Sequence, residues 1–187
     1  MKSASKTRYL GNVICSNDGS NATIIDRHSK GIGIVTQIVS ILKSISLGPF
    51  YFRIALILRE SMLLNAILVN LESMNHFNKK QIEMLESIDN GFFVKCFSSS
   101  AKTVRDAFSA ETGKLKVRYI LAKRRFMFLH NILRRNPDEL VFKVYQSQKI
   151  KHTKMDFYAS IESEKKYFEL NISDEDISRL SKENSTL

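Results

Sequence analysis

The sequence predicts a mainly α protein, a multi-helix bundle of about seven helices with one short N-terminal β-strand. Three observations point there. Apolar residues recur at helical spacing along most of the chain. Its 187 residues include only 7 Gly and 2 Pro. One stretch, IALILRESMLLNAILVNL at residues 54–71, is apolar over most of a helical circumference and reads as the central core helix.

In chain order, RYLGNVICS at residues 8–16 reads as the strand, closed by a turn at Asn17-Asp18-Gly19-Ser20. No second strand is expected, so this one is left without a partner. From Asn21 as N-cap, a helix runs to about residue 46. Ile32, Val35, Val39 and Leu42 form one apolar stripe, and Ile34, Ile38, Ile41 and Ile45 its neighbour. Gly31 and Gly33 weaken its middle and mark a bend or a close helix crossing. They are no phosphate loop, because the third glycine and the P-loop lysine are missing.

Gly48-Pro49 starts the central helix. Its stripes are Ile57, Leu64, Leu68 and Leu71, flanked by Ile54, Leu58, Leu63 and Ile67. Arg59, Glu60 and three polar residues interrupt it, so no run reaches the roughly 18 residues of a membrane span. Asn78 with Gln81 resembles a capping box opening a helix toward Cys96. Ser98 to Ser100 connect it to a short helix at 102–110, closed near Gly113. A basic helix at 114–135 follows, with Leu115, Leu121, Phe128, Leu129 and Ile132 inward and Lys114, Arg118 and Arg125 sharing another face. Asn136-Pro137-Asp138 caps a helix to about residue 150. Ser173-Asp174-Glu175-Asp176 begins a small terminal helix.

The net charge of +10 is unevenly spread. Residues 101–155 hold 14 basic and 4 acidic side chains, whereas 156–187 hold 4 and 8. A cationic segment of this kind suits a polyanion. Two distant cysteines, Cys15 and Cys96, form no disulfide framework and read as packing residues of a reducing compartment. With no apolar leader at the start, the expected location is intracellular, nucleus or cytoplasm. His28, His76, His130 and His152 are scattered, with no metal-ligand spacing. His130 reads as a half-buried or surface side chain. No pair of acids sits in a context that would split their pKa values. Neither a catalytic residue, a metal site nor a cofactor is expected.

Three strings then combine: RYLGNVICSNDGS at 8–20, the run at 31–68, and RYILAKRRFMFLHNILRRNPDELVFKVYQSQ at 118–148. In that order they resemble the region after the palm in reverse transcriptases of non-LTR (LINE-type) retrotransposons. There a Tyr-Leu-Gly strand and a Ser-x-Asp-Gly-type turn close the palm, and the helices beyond form the thumb and a C-terminal extension. Tyr9-Leu10-Gly11 and Ser16 to Gly19 match that strand and turn with one residue of different spacing. Arg59-Glu60-Ser61 and residues 128–135 match later strings.

The metal-binding aspartates that the family uses for polymerisation precede that strand, and this sequence contains no Asp-Asp pair. The resemblance therefore implies a non-catalytic fragment with three parts: a residual palm strand and turn (1–20), a helical thumb-like domain (21–150) and an acidic, partly ordered extension (151–187). It implies sequence-independent binding of duplex or RNA–DNA hybrid backbones. The candidate contacts are Lys114, Lys116, Arg118, Lys123, Arg124, Arg125, Arg134 and Arg135. No membrane partner is expected. Self-association is expected through the unpaired strand at 9–15. The alternatives are a protein–protein interaction module using the former palm-facing surface, or a decayed retroelement product without function.

Overall fold

The structure, a computed structural model, describes residues 6–9, 12–15, 20–45, 47–97, 105–151 and 153–179, with backbone alone at 6–9, 13–15 and 105–108. The expected turn at 16–19, the connector at 98–100, Leu10, Gly11, His152 and the residues after 179 lie outside the described residues. Within them the protein is mainly helical, with eight helices and one hairpin. The chain divides into two compact units. Unit 1 comprises Met1–Asn70 and Asn78–Ile120; unit 2 comprises Leu71–Phe77 and Leu121–Leu187. The boundaries expected after residues 20 and 150 do not coincide with this division.

Unit 1 opens with β1 (Lys6–Tyr9) and β2 (Asn12–Cys15), paired antiparallel with Tyr9 opposite Asn12. The expected lone strand is thus corrected to a hairpin. The residues read as one continuous strand are two short ones, whose register leaves a two-residue connection, the commonest hairpin length. The premise of the expected self-association narrows from a wholly unpaired strand to the outer edges of a two-stranded hairpin. Asn12 Nδ2 donates to the Asn70 carbonyl at 3.3 Å, and its Oδ1 accepts from Arg27 Nη2 at 3.3 Å.

Helix α1 (Asn21–Ser44) has Ser20 rather than Asn21 at its N-cap position, without a side-chain cap bond. Its buried face runs through Ile24, Arg27, Gly31, Val35, Ile38 and Leu42, while Ile32 and Ile45 of the expected stripes are exposed. Gly31 marks the anticipated close crossing. A Cβ there would lie 2.7 Å from Ile88 Cγ2 and 3.0 Å from Ile67 Cγ2, whereas one on Gly33 would meet nothing within 4 Å. The two glycines should therefore respond oppositely to alanine. Gly31→Ala is expected to destabilise, because overpacking costs about 1–3 kcal/mol and exceeds the helix-propensity gain of about 1 kcal/mol. Gly33→Ala keeps only the gain. Thermal melts followed by circular dichroism should shift down for the first and up for the second; shifts of the same sign would refute the close contact.

A 3-10 turn (Gly48–Phe50) leads into α2, which is α-helical over Tyr51–Leu58, π-helical over Arg59–Leu64 and α-helical again over Asn65–Leu68. The π segment sets which residues face inward. In an ideal α-helix, residues four apart drift around the axis. The wider i→i+5 turn cancels that drift, so Ala55, Arg59, Leu63 and Ile67 are all buried and Ile57, expected inward, is exposed. Asn70, at φ 58°, ends the run in the left-handed region. Arg27 donates to the carbonyls of Ala66 (3.1 Å) and Val69 (3.2 Å), placing a cation at the helix's negative end.

Helix α3 (Lys79–Phe97) begins with the capping box expected from sequence. Asn78 N donates to Gln81 Oε1 and Gln81 N to Asn78 Oδ1, both at 2.9 Å. Leu85, Ile88, Phe92, Phe93 and Cys96 complete this core, and burial pushes the Cys96 thiol up to about 11, as suits a packing residue. A short α4 (Arg105–Thr112) ends at Gly113, φ 63°. The basic helix α5 (Val117–Leu133) starts three residues later than expected, which leaves Leu115 50% exposed instead of inward.

Unit 2 contains α5 from Leu121, α6 (Leu140–Lys151), α7 (Phe157–Tyr167) and α8 (Asp174–Arg179). Asn136 does not start α6 directly: its Oδ1 accepts from Asp138 N at 3.0 Å, forming a turn before the helix. Asp156 caps α7 by accepting from Ala159 N at 2.8 Å, and Ser173 and Asp176 cap α8 reciprocally. The core joins Leu129, Ile132 and Tyr145 to Phe157, Ile161 and Ile177. The acidic segment after 150 is therefore half of a core rather than an appendage. His130 is buried, not at the surface. Among the described residues no helix is long and apolar enough to cross a membrane.

Candidate nucleic-acid interface

A cation contacts phosphate only if its head reaches water and is not already spent on a carboxylate. Arg125 fails on both counts and is corrected from a backbone contact to a core residue. It is 0% exposed, with Nε 2.7 Å from Glu164 Oε1. Its Nη1 donates to the Met74 carbonyl at 2.5 Å and its Nη2 to Ser160 Oγ at 2.8 Å. The guanidinium lies 5.0 Å from the Phe157 ring centre and 5.3 Å from that of Phe77. Burial lowers the Arg125 pKa and raises that of Glu164, each offset in part by the charge of the other. This is a desolvated pair inside unit 2.

The other seven divide. Lys114 precedes α5 and lies 2.5 Å from Glu60; Arg118 lies 3.5 Å from Glu86, and Arg135 lies 2.8 Å from Glu139. Lys116 and Arg124 are half-buried and Lys123 is exposed, each with an interaction of its own, and Arg134 is exposed. The anticipated row of Lys114, Arg118 and Arg125 along one helical face is not formed.

Unit 2 neutralises much of its own charge. Lys149 and Lys165 approach Asp174 at 2.8 and 3.4 Å, and the Tyr145 hydroxyl donates to it at 3.1 Å. Burial works to raise the Asp174 carboxyl, but Lys149, then Lys165 and Tyr145, bring it below its ordinary range. Counted by unit, unit 1 holds 16 basic and 8 acidic side chains and unit 2 holds 13 and 11. The excess that looked like a property of residues 101–155 belongs mostly to unit 1, because the acidic segment folds with the basic one.

Unit 1 also carries cations that the helix-by-helix reading passed over. Lys43, Arg53 and Lys95 are exposed, and among the described residues none has a carboxylate partner. Their signal was legible: from Arg27 to Arg59 the sequence contains no Asp or Glu. Among the described residues no cluster of three or more His, Cys, Asp or Glu could hold a metal ion. The chain matches no protein-family model, no curated protein and no solved structure.

Proposed function

We propose that this protein is a non-catalytic, thumb-like helical module that binds duplex or RNA–DNA hybrid backbones without reading their sequence. The observation that carries the reading is the two-to-one excess of basic over acidic side chains on unit 1. Such contacts go to phosphate and set position rather than sequence. Their hallmark is a steep salt dependence, each phosphate contact contributing roughly 0.9 to the slope of log K against log salt on duplex DNA.

Lys43→Gln with Lys95→Gln, both exposed on unit 1, is expected to lower that slope by about 2 at unchanged melting temperature. Fluorescence anisotropy from about 50 to 200 mM salt reads it. A wild-type chain that binds neither duplex nor hybrid at the low end defeats the proposal.

The interaction-module reading is favoured by a different observation. Helix α6 exposes Leu140, Val144 and Ile150 beside a shallow groove of about 370 Å³ lined by Phe142 and Ile150. An adaptor would tolerate the two Gln substitutions and lose its partner on Ile150→Glu.

A further inference from the structure

Three elements of unit 1 bring their ends together around Phe97: the turn after α1, the start of α2 and the end of α3. Tyr51 and Phe52 both pack on the Phe97 ring, at 6.4 and 5.0 Å between centres, and the Tyr51 hydroxyl donates to the Cys96 carbonyl at 2.8 Å. Phe97 in turn contacts Phe92 and Phe93 of the core. The Phe50 N–H donates to the Leu47 carbonyl at 3.0 Å, fixing the 3-10 turn. On this braced base Phe50 and Phe52 remain 63% and 45% exposed. Lys43 lies in the last turn of α1, Arg53 beside Phe52 at the start of α2 and Lys95 at the end of α3, and residues 27–59 carry no acid.

The parts of these large apolar rings left in water cost solvation without adding to the fold. Exposed rings on a segment flanked by cations that have no carboxylate partner among the described residues match one ligand well. Successive bases of a single strand stack on rings of any type, and their phosphates meet the lysine and arginine heads. A duplex hides its base faces and cannot use the rings. From this juxtaposition we infer that the Phe50–Phe52 end of unit 1 is a stacking platform for unpaired nucleotides, recognising a single-stranded segment beside the duplex. The inference rests on the nucleic-acid reading above and adds a substrate class to it.

The test compares three probes on the full chain: a blunt duplex, the same duplex with a ten-thymidine extension, and vesicles containing anionic lipid. Wild type should bind the extended duplex more tightly than the blunt one. Phe50→Ala, at an exposed ring, and Phe52→Leu, which keeps packing against Phe97, should together remove that advantage. The expected loss is roughly 5- to 100-fold, the range for base–aromatic stacking, with blunt-duplex affinity and melting temperature unchanged. Phe50→Trp alone should retain or increase the advantage. Equal binding of blunt and extended duplex by wild type, or an equal effect of the variants on both, overturns the platform while leaving the backbone reading intact. Vesicle binding lost on Phe50→Ala without any change on the extended probe also overturns it and assigns the rings to a lipid surface. Absence of binding to either duplex ends both readings.

Discussion

Arg125→Gln is expected to destabilise unit 2 severely rather than weaken a phosphate contact. Glutamine removes the charge that faces Glu164 and most of the donors that reach Met74, Asn75 and Ser160. Breaking a buried pair from one side costs about 3–5 kcal/mol, because the remaining charge stays desolvated without a partner. Against a typical total of about 5–15 kcal/mol, that removes a large share of the stability and exhausts it at the low end. Urea denaturation, with limited proteolysis to report residues 121–179, measures it. Arg125→Met with Glu164→Leu should recover much of the loss, since neither charge is then stranded. A change below about 1 kcal/mol for Arg125→Gln would mean that Glu164 finds water or a proton, and the account of this core would fail. Loss of nucleic-acid binding in that variant reports unfolding alone.

Asp89→Ala should damage unit 1 to a similar degree. Arg59 is 1% exposed and grips Asp89 through two parallel bonds, Nε–Oδ1 at 2.6 Å and Nη2–Oδ2 at 2.7 Å. Its Nη2 also donates to the Leu115 carbonyl at 3.1 Å, and the guanidinium lies 5.2 Å from the centre of the Phe93 ring. Alanine leaves a cation that cannot deprotonate and has no counterion, again about 3–5 kcal/mol. Asp89→Asn keeps the shape and one acceptor, so it should cost less. Hydrogen exchange along α2 is the sharper readout, because Arg59 is the first residue of its π segment. Protection of that segment unchanged in Asp89→Ala would refute the prediction.

These two arginines also show where sequence reasoning stops. The capping box at Asn78 and Gln81, the cap of α8 and the tight approach at Gly31 were legible, because each depends on neighbours within one turn or on a missing Cβ. Buried charge was not. Arg59 reads only as a break in an apolar run, and Arg125 sits in a cationic one that reads as a phosphate-facing surface. Only partners 30 and 35 residues away, Asp89 and Ser160, reveal the truth. The exposure of Ile57 was equally out of reach, since a period-3.6 projection contains no widened turn. The hairpin was missed for a simpler reason: four-residue strands show too little alternation to separate from one strand of nine. Of the eight candidate contacts, only the location of positive charge along the chain could be read. Its cancellation within unit 2 depends on helices that the charge count treated as a tail.

The interleaving of the two units in sequence sets an order on synthesis. The carbonyls of Met74 and Asn75 belong to a seven-residue loop of unit 2 that leaves the ribosome before most of α3, and their donor, Arg125, follows about 50 residues later. At roughly 5–20 residues per second, those acceptors wait several seconds in water. Ser160 and Glu164, the other partners of the same guanidinium, come later still. Unit 1 can close once Ile120 has emerged, whereas the nascent loop of unit 2 stays open until residues up to Glu164 have been made. A stalled or shortened translation product would therefore carry a finished first unit and, in place of the second, a cationic helix stripped of its counterions.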